Sequence, residues 1–170
     1  MLKDTQQIQQ SLMELRFTAG LSHEEQLQLS ENACLKTFPK GATLVTEGSN
    51  SGDFHIIRSG RVEICMSIPA RGCLPVLTLE PGDVVGWSSI LNLAGTMATV
   101  IAIEETQTIT MKAARLRELC DQDHDIGYRI MERIARALSQ RLIATRLQML
   151  DIYQLELFDA QSEGLSEESI

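Results

Sequence analysis

The stretch PGDVVGWSSILNLAGTMATV, from Pro81 to Val100, places a glycine turn and a short helix-compatible segment between two apolar runs. This order predicts a strand, a tight turn, a single helical turn and a second strand. The start of a helix directs backbone N–H groups outwards, so the segment has the shape of a loop that holds a phosphate. Its centre nevertheless carries Trp87, Thr96 and Met97, and no arginine that could pair with a phosphate.

Short β-rich runs surround this segment between about residues 33 and 112, and glycine-containing turns separate them. Several short strands at close, regular spacing predict a compact sandwich or roll. The predicted strand runs are LKTF, ATLVT, FHIIRSG, RVEICMSI, PVLTL, ATVIAI and TQTITM.

Helical patterns flank the predicted roll on both sides. Residues 4–31 predict two short helices, the second with a capping box formed by Ser22 and Glu25. After the roll, AARLRELCDQD predicts one short helix. A long helix is then predicted from near Asp125 to about Leu157.

The predicted organisation is α+β, mainly β. Residues 1–157 form one domain, with the β-roll at 33–112 between the N-terminal helices and the C-terminal helices at 113–157. The remaining segment, 158–170, is acidic and rich in small residues, which predicts a disordered tail.

The long helix carries an apolar seam whose members recur at steps of three or four residues, as in a coiled coil. One interpretation is a wide apolar face packed within the chain. We favour a parallel two-fold homodimer, because a helix of this length would overhang a domain of this size. A second apolar stripe lies beside the seam at Ile143, Leu147 and Leu150. The seam consists of Met131, Ile134, Leu138, Leu142, Thr145, Met149 and Ile152.

The composition limits the environment and the partners. The chain has 170 residues, 44% hydrophobic and 22% charged, with a net charge of −8, which argues against binding to nucleic acid or to an anionic membrane. No apolar run is long enough to span a membrane, and the N-terminus has no apolar signal core, so we expect a cytoplasmic protein. The four cysteines are too scattered to predict a zinc or iron–sulfur site.

Taken in order, these segments resemble the cyclic-nucleotide-binding domain of bacterial Crp/Fnr-type regulators, eukaryotic kinase regulatory subunits and channels. The resemblance covers about residues 15–155. It rests on the glycine-studded FPKGATLVTEGSNSGDFHIIRSGRVEI, on LTLEPGDVVGWSSIL with MATVIAIEET, and on the two helices that follow. It implies a double-stranded β-helix, that is, a jelly-roll-like β-roll. It also implies a regulatory, non-enzymatic domain that senses an effector and signals to a partner protein.

In that family an arginine pairs with the cyclic phosphate and a glutamate accepts a hydrogen bond from the ribose. Here Trp87 stands at the glutamate position and Thr96 at the arginine position. Loss of an arginine–phosphate contact costs about 2–5 kcal/mol, so standard binding of cyclic AMP is not expected. The residues that correspond to the family's ligand pocket are Val85, Gly86, Trp87, Ser88, Ser89, Thr96, Met97 and Ala98.

Three interpretations of this altered pocket follow. Trp87 can be a platform for a different effector, with the backbone N–H groups of Gly86, Trp87 and Ser88 still available to an anion. Alternatively, Trp87 fills the pocket, and the domain is a ligand-free interaction module. A third interpretation is weak cyclic-nucleotide binding through backbone contacts alone.

Other functional classes lack support in the sequence. Crp/Fnr regulators continue into a winged helix-turn-helix, whereas only QLELFDAQSEGLSEESI follows Tyr153, so we expect no direct sequence-specific DNA binding. No catalytic motif is present, and we predict neither an enzyme nor a metal site. We predict no cofactor beyond an unidentified small-molecule effector. His55 or Cys73 would be the candidate haem ligands, but no further pattern supports haem.

Overall fold

The computed structural model describes residues 2–50, 52–68, 72–91 and 95–167, with side chains described between Thr5 and Leu150 in these ranges. The described strands are β1 (Ala33–Phe38), β2 (Thr43–Val45), β3 (Asp53–Ser59), β4 (Val62–Ile68), β5 (Gly72–Leu79), β6 (Val84–Val85), β7 (Thr99–Ala102) and β8 (Thr106–Lys112). The helices are α1 (Leu2–Glu14), α2 (His23–Glu31), α3 (Trp87–Ile90), α4 (Ala113–Gln122) and α5 (His124–Glu167), with a 3₁₀ turn at Arg16–Thr18.

The strands form two antiparallel four-stranded sheets. The first has the order β1-β8-β3-β6 and the second the order β2-β7-β4-β5. Consecutive strands along the chain often lie in different sheets, which is the winding of a β-roll. The predicted fold class is confirmed: an antiparallel roll with N-terminal helices and a long C-terminal helix.

Apolar side chains from both sheets meet inside the roll. Alternation along a strand sends every second side chain to the same face. The interior cluster draws on strands from both sheets and is lined by Leu44, Val45, Ile57, Val62, Leu79, Val85, Val100 and Ala102. Burial of these side chains is the main force that closes the two sheets on one another.

The N-terminal helices cover the outer face of the first sheet. Phe17 in the 3₁₀ turn packs on Phe54 of β3, with the ring centroids 5.6 Å apart and the ring planes tilted by 50°. The predicted capping box is confirmed: the Glu25 amide donates to Ser22 Oγ at 3.2 Å, and the Glu25 carboxylate accepts from the Ser22 amide. This cap satisfies donors at the start of α2 that would otherwise lack partners.

Helix α5 is longer than predicted. It begins at His124 and continues to Glu167 rather than ending near Leu157. Leucine, glutamate, glutamine and alanine in this region are good helix formers, which the acidic composition alone did not reveal. The rest of the predicted tail, 168–170, lies outside the described residues.

The chain divides into two compact units. The first extends to Ala135 and contains both sheets, α1 to α4 and the beginning of α5. The second starts at Arg136 and consists of the remainder of α5.

Candidate functional site

The segment between β6 and β7, here called the cassette, begins at a turn that only glycine can occupy. Gly86 has φ +83, in the left-handed region. A Cβ atom on Gly86 would lie 2.2 Å from the carbonyl oxygen of Asp53 on β3. The turn is therefore pressed against the backbone of the first sheet, and this close approach fixes where α3 starts.

Helix α3 is a single turn anchored to the neighbouring helix α4. Ser88 and Ile90 are buried, whereas Trp87 and Ser89 are half-buried. The Arg117 guanidinium on α4 donates a hydrogen bond to the carbonyl oxygen of Ser89. A cation at the C-terminal end of a helix complements the carbonyls that lack partners there, so this contact ties the cassette to α4.

Thr96 turns away from α3 and towards the loop between β2 and β3. Its hydroxyl donates to the carbonyl oxygen of Thr46. Its amide donates to Ser49 O at 3.0 Å, and its carbonyl accepts from the Gly48 amide at 2.8 Å. The side chain at the family's arginine position is thus 7% exposed and occupied with backbone partners.

The remaining predicted pocket residues differ in how far their side chains are exposed to solvent. Met97 is 66% exposed and Ala98 is half-buried. Val85 is buried and lies opposite His55 in the β3–β6 pairing. Val85, Gly86, Trp87, Ser88 and Ser89 are contiguous along the turn and α3, whereas Thr96 belongs to the β2–β3 loop network. Their role in ligand binding stays a prediction.

A buried polar cluster that the sequence reasoning did not identify lies next to the cassette. The Nδ1 atom of His55 is 3.0 Å from Thr110 Oγ1 and 3.4 Å from Thr108 Oγ1, and the two threonine hydroxyls are 2.8 Å apart. The alternation TQTITM places Thr106, Thr108 and Thr110 on one face of β8, and this pattern could have predicted a polar cluster from the sequence. Three threonines on a buried face mark an interior that is not purely apolar.

An ion-pair cluster lies at the end of the same strands. The Asp53 carboxylate is 2.8 Å from Lys36 Nζ and 2.6 Å from Lys112 Nζ. Burial opposes ionisation of Asp53, but hydrogen bonds from Lys112 and Lys36 outweigh it and lower the pKa of Asp53. For His55 burial disfavours the charged imidazolium and lowers the pKa to about 4, and the negative charge of Asp53 only partly opposes this effect. His55 is therefore a neutral imidazole at pH 7.

A cleft of about 340 Å³ lies between α3, α4 and the start of α5. It combines an apolar floor with charged and polar side chains, and Arg117 reaches from it to the cassette. The cleft is lined by Ile90, Arg117, Cys120, Asp121, His124, Gly127, Tyr128 and Met131.

The predicted dimer seam is only partly accessible. Ile134 is 2% exposed and Met131 is half-buried in the cleft described above, so the first part of the seam packs within the chain. Leu138 and Thr145 are half-buried, and the Thr145 hydroxyl donates to Arg141 O at 2.7 Å. Leu142 and Met149 are more than half exposed, as are Ile143, Leu147 and Leu150 of the second stripe. The side chain of Ile152 lies outside the described residues.

Two other classes of site are absent from the described residues. No helix there is long and apolar enough to cross a membrane. In the same part of the chain, no group of three histidine, cysteine, aspartate or glutamate side chains is arranged to hold a metal ion.

Comparison with known proteins identifies the family. The sequence profile described as "Cyclic nucleotide-binding domain" matches residues 35–123, more than half of the 170-residue chain. The chain therefore belongs to the cyclic nucleotide-binding domain family, and it is a regulatory domain of that type. The predicted resemblance is confirmed.

Individual relatives agree with this assignment. The Pycsar effector protein XpPycTIR of Xanthomonas perforans is 29% identical over 104 residues, which cover 61% of this chain and 33% of that protein. The chain thus spans about a third of the length of this relative.

Among solved structures, a cyclic nucleotide-binding domain from Methylobacillus flagellatus KT matches with a TM-score of 0.74 and 20% identity, covering 86% of this chain and 83% of the other. The regulatory subunit of a cAMP-independent protein kinase A from Trypanosoma cruzi, bound to guanosine, matches with a TM-score of 0.64 and 25% identity. That match covers 72% of this chain and 43% of the other.

Proposed function

We propose that this chain is a non-catalytic sensor domain whose cassette binds an uncharged, nucleoside-like effector in place of a cyclic nucleotide. The observation that carries the proposal is the position of Thr96. At the arginine position of the family, its hydroxyl and its backbone are engaged by Thr46, Gly48 and Ser49. Thr96 therefore offers no positive charge to a phosphate, and its polar groups are already bonded to the β2–β3 loop.

The charge of the cassette supports an uncharged effector. Between Pro81 and Val100 the sequence contains no lysine or arginine, and Asp83 is its one charged residue. Lys36 and Lys112 are paired with Asp53. A cyclic phosphate would lose its water shell here without gaining a charged partner from the cassette, and the Arg117 guanidinium on α4 already donates to Ser89 O. A nucleoside avoids this desolvation cost and can still stack on Trp87, which is half-buried rather than enclosed.

The relatives support the same choice of ligand class. The regulatory subunit from T. cruzi is described as cAMP-independent and bound to guanosine. The relative from X. perforans is an effector protein about three times longer than the matched region, which is consistent with a sensor domain that controls another activity. We expect this chain likewise to act in the cytoplasm through a partner protein.

The contacts of the cassette suggest how binding is transmitted. Arg117 links Ser89 to α4, and the cleft between α3, α4 and the start of α5 leaves room for these elements to shift. An effector that binds more tightly when α3 is in one position would increase the fraction of molecules in which α4 and α5 adopt the matching position. We propose that the exposed apolar residues of α5 pair with a second copy of the chain. The heptad spacing of Leu142 and Met149, with Thr145 between them, suits a parallel coiled coil.

Titration with nucleosides and cyclic nucleotides tests the proposed function. Trp87 is the chain's one tryptophan, so its emission reports on the cassette. We expect guanosine or adenosine to change Trp87 emission saturably and to raise Tm, and cyclic AMP and cyclic GMP to bind at least about tenfold more weakly. Calorimetry on Trp87→Phe is the control, because this variant keeps an aromatic surface and removes the signal.

Two results would contradict the proposal in different ways. Cyclic AMP binding as tightly as the nucleosides would show that the cassette holds a phosphate without arginine. No binding of any nucleoside or cyclic nucleotide would favour the second candidate function, a ligand-free interaction module in which Trp87 fills the pocket.

A further inference from the structure

The interior of the roll contains a polar atom that the protein itself does not satisfy. His55 is 1% exposed, and its Nδ1 atom faces the hydroxyls of Thr110 and Thr108. Its Nε2 atom is enclosed and has no hydrogen-bond partner among the described residues. A buried nitrogen without a partner destabilises a fold, and most such groups in native proteins have a specific reason to persist.

The position of His55 relates it to the cassette. His55 lies on the same face of β3 as Asp53 and Ile57, which are each two residues away. Ile57 belongs to the interior cluster. Across the strand pairing His55 faces Val85, the residue before the Gly86 turn. The ring also meets Phe38 edge-on, with centroids 5.9 Å apart. The imidazole therefore lies on the interior face of the first sheet, one strand away from the residue that precedes the Gly86 turn.

Building on the proposed function, we propose that His55 is an effector-recognition residue whose Nε2 hydrogen-bonds a neutral polar atom of a nucleoside-like ligand held by the cassette. Thr110 is a positioning residue, because its hydroxyl is the closer of the two partners that orient the ring. Thr108 supports it through the 2.8 Å contact between the two hydroxyls.

The chemistry of the cluster selects an uncharged ligand. Burial keeps the imidazole neutral at pH 7, so Nε2 offers a hydrogen bond and no positive charge. A neutral imidazole donates at one nitrogen and accepts at the other, and the threonine hydroxyls can serve either tautomer. The edge of a nucleobase presents both donors and acceptors, so it can match whichever role Nε2 takes. A phosphate gains little here, because the nearby lysines are already paired with Asp53.

The experiment compares ligand binding with stability in the same variants. His55→Phe keeps an aromatic ring and removes both nitrogens. Thr110→Val keeps the side-chain shape and removes the orienting hydroxyl. Ile57→Val is the matched control, because it shortens a neighbouring interior side chain on the same face of β3 and leaves the polar groups of His55, Thr108 and Thr110 in place. For each protein we would measure guanosine affinity by calorimetry and the Tm without ligand.

We expect His55→Phe to weaken guanosine binding by at least about tenfold, since the bound base then leaves a polar atom unpaired. Its ligand-free Tm should equal or exceed that of the wild type, because an unsatisfied nitrogen has been removed. Thr110→Val should weaken binding to a smaller extent, and Ile57→Val should lower Tm with unchanged affinity. The ¹⁵N resonance of His55 Nε2 should also shift on saturation with guanosine, which a purely structural histidine would not show.

The outcomes separate this inference from the proposed function. If the wild type binds guanosine and His55→Phe binds it equally well with a lower Tm, His55 is a structural residue, and only the inference is overturned. If the wild type binds neither guanosine, adenosine nor inosine, the proposed function fails and the inference fails with it.

Discussion

Two groups of Thr96, its amide and its hydroxyl, contact the backbone carbonyl oxygen of Ser49. The Thr96 amide donates to Ser49 O at 3.0 Å, and the Thr96 hydroxyl lies 3.2 Å from the same oxygen. The hydroxyl also donates to Thr46 O, so one side chain holds the β2–β3 loop against the cassette. The residue that the sequence predicts at the family's arginine position is therefore a structural link between two loops.

Replacing this hydroxyl should affect stability more than binding. Thr46 O keeps a second donor, the Ser49 hydroxyl at 2.6 Å, so Thr96→Val should lower the free energy of unfolding by about 1 kcal/mol. Urea denaturation would measure this change. Thr99→Val is the matched control: its hydroxyl accepts from the Glu47 amide in an exposed contact, and we expect a cost below about 0.5 kcal/mol. A large loss of guanosine affinity in Thr96→Val would contradict the assignment of Thr96 to the loop network.

The turn at Gly86 should tolerate no side chain. Gly41→Ala provides the control, because Gly41 has a similar φ of +85 but no atom within 4 Å of the added Cβ. We expect Gly41→Ala to cost about 1–2 kcal/mol from backbone strain alone. Gly86→Ala should cost at least twice as much, since the Asp53 carbonyl must move. Equal Tm values for the two variants would show that the cassette is not pressed against β3.

His55 should make the stability of the protein depend on pH. Its pKa is about 4 in the folded state, against about 6.5 in the unfolded chain, so between these values the unfolded state binds more protons. Stability should therefore fall as the pH is lowered from 6.5 to 4, at up to about 1.4 kcal/mol per pH unit from this residue. His55→Phe should remove this part of the dependence, as urea denaturation at several pH values would show. Parallel pH profiles for the two proteins would mean that His55 titrates normally.

The contact between Arg117 and Ser89 should control the local dynamics of the cassette. Without the guanidinium, Arg117→Ala should speed amide hydrogen exchange in α3 by about tenfold, equivalent to about 1.4 kcal/mol. Arg115→Ala is the control, because Arg115 on the same helix forms an exposed pair with Glu118 and makes no described contact with the cassette. Exchange in α3 that is unchanged by Arg117→Ala would argue against transmission through this contact.

The exposed part of α5 should determine the oligomeric state. We expect the wild type to be a dimer by light scattering, and Leu142→Glu to be a monomer, because a charge in an apolar seam is not compensated. Gln140→Glu adds the same charge at another exposed position of the helix and should leave the dimer intact. A wild-type protein that is monomeric at tens of micromolar would rule out the pairing.

The roll was predictable because its signals are local. Glycine turns, alternating strands and the Ser22 capping box each depend on residues close in sequence, and the structure confirms the fold class and the cap. The end of α5 was less predictable, since acidic composition suggested disorder while helix propensity favoured continuation to Glu167. The accessible part of the seam was also not predictable, because the burial of Ile134 depends on packing that helical periodicity cannot report.

Strand alternation, turn residues and side-chain identities are properties of the chain alone. They were therefore enough to predict a β-roll of the cyclic nucleotide-binding type with Trp87 and Thr96 at the positions of the family's glutamate and arginine. Tertiary structure decided where Thr96 directs its hydroxyl and what surrounds His55. Thr96 meets Thr46 and Ser49, and His55 meets Thr110, across separations of about fifty residues. Such contacts exist only once the two sheets have closed, and closure is what buries a polar imidazole beside the cassette.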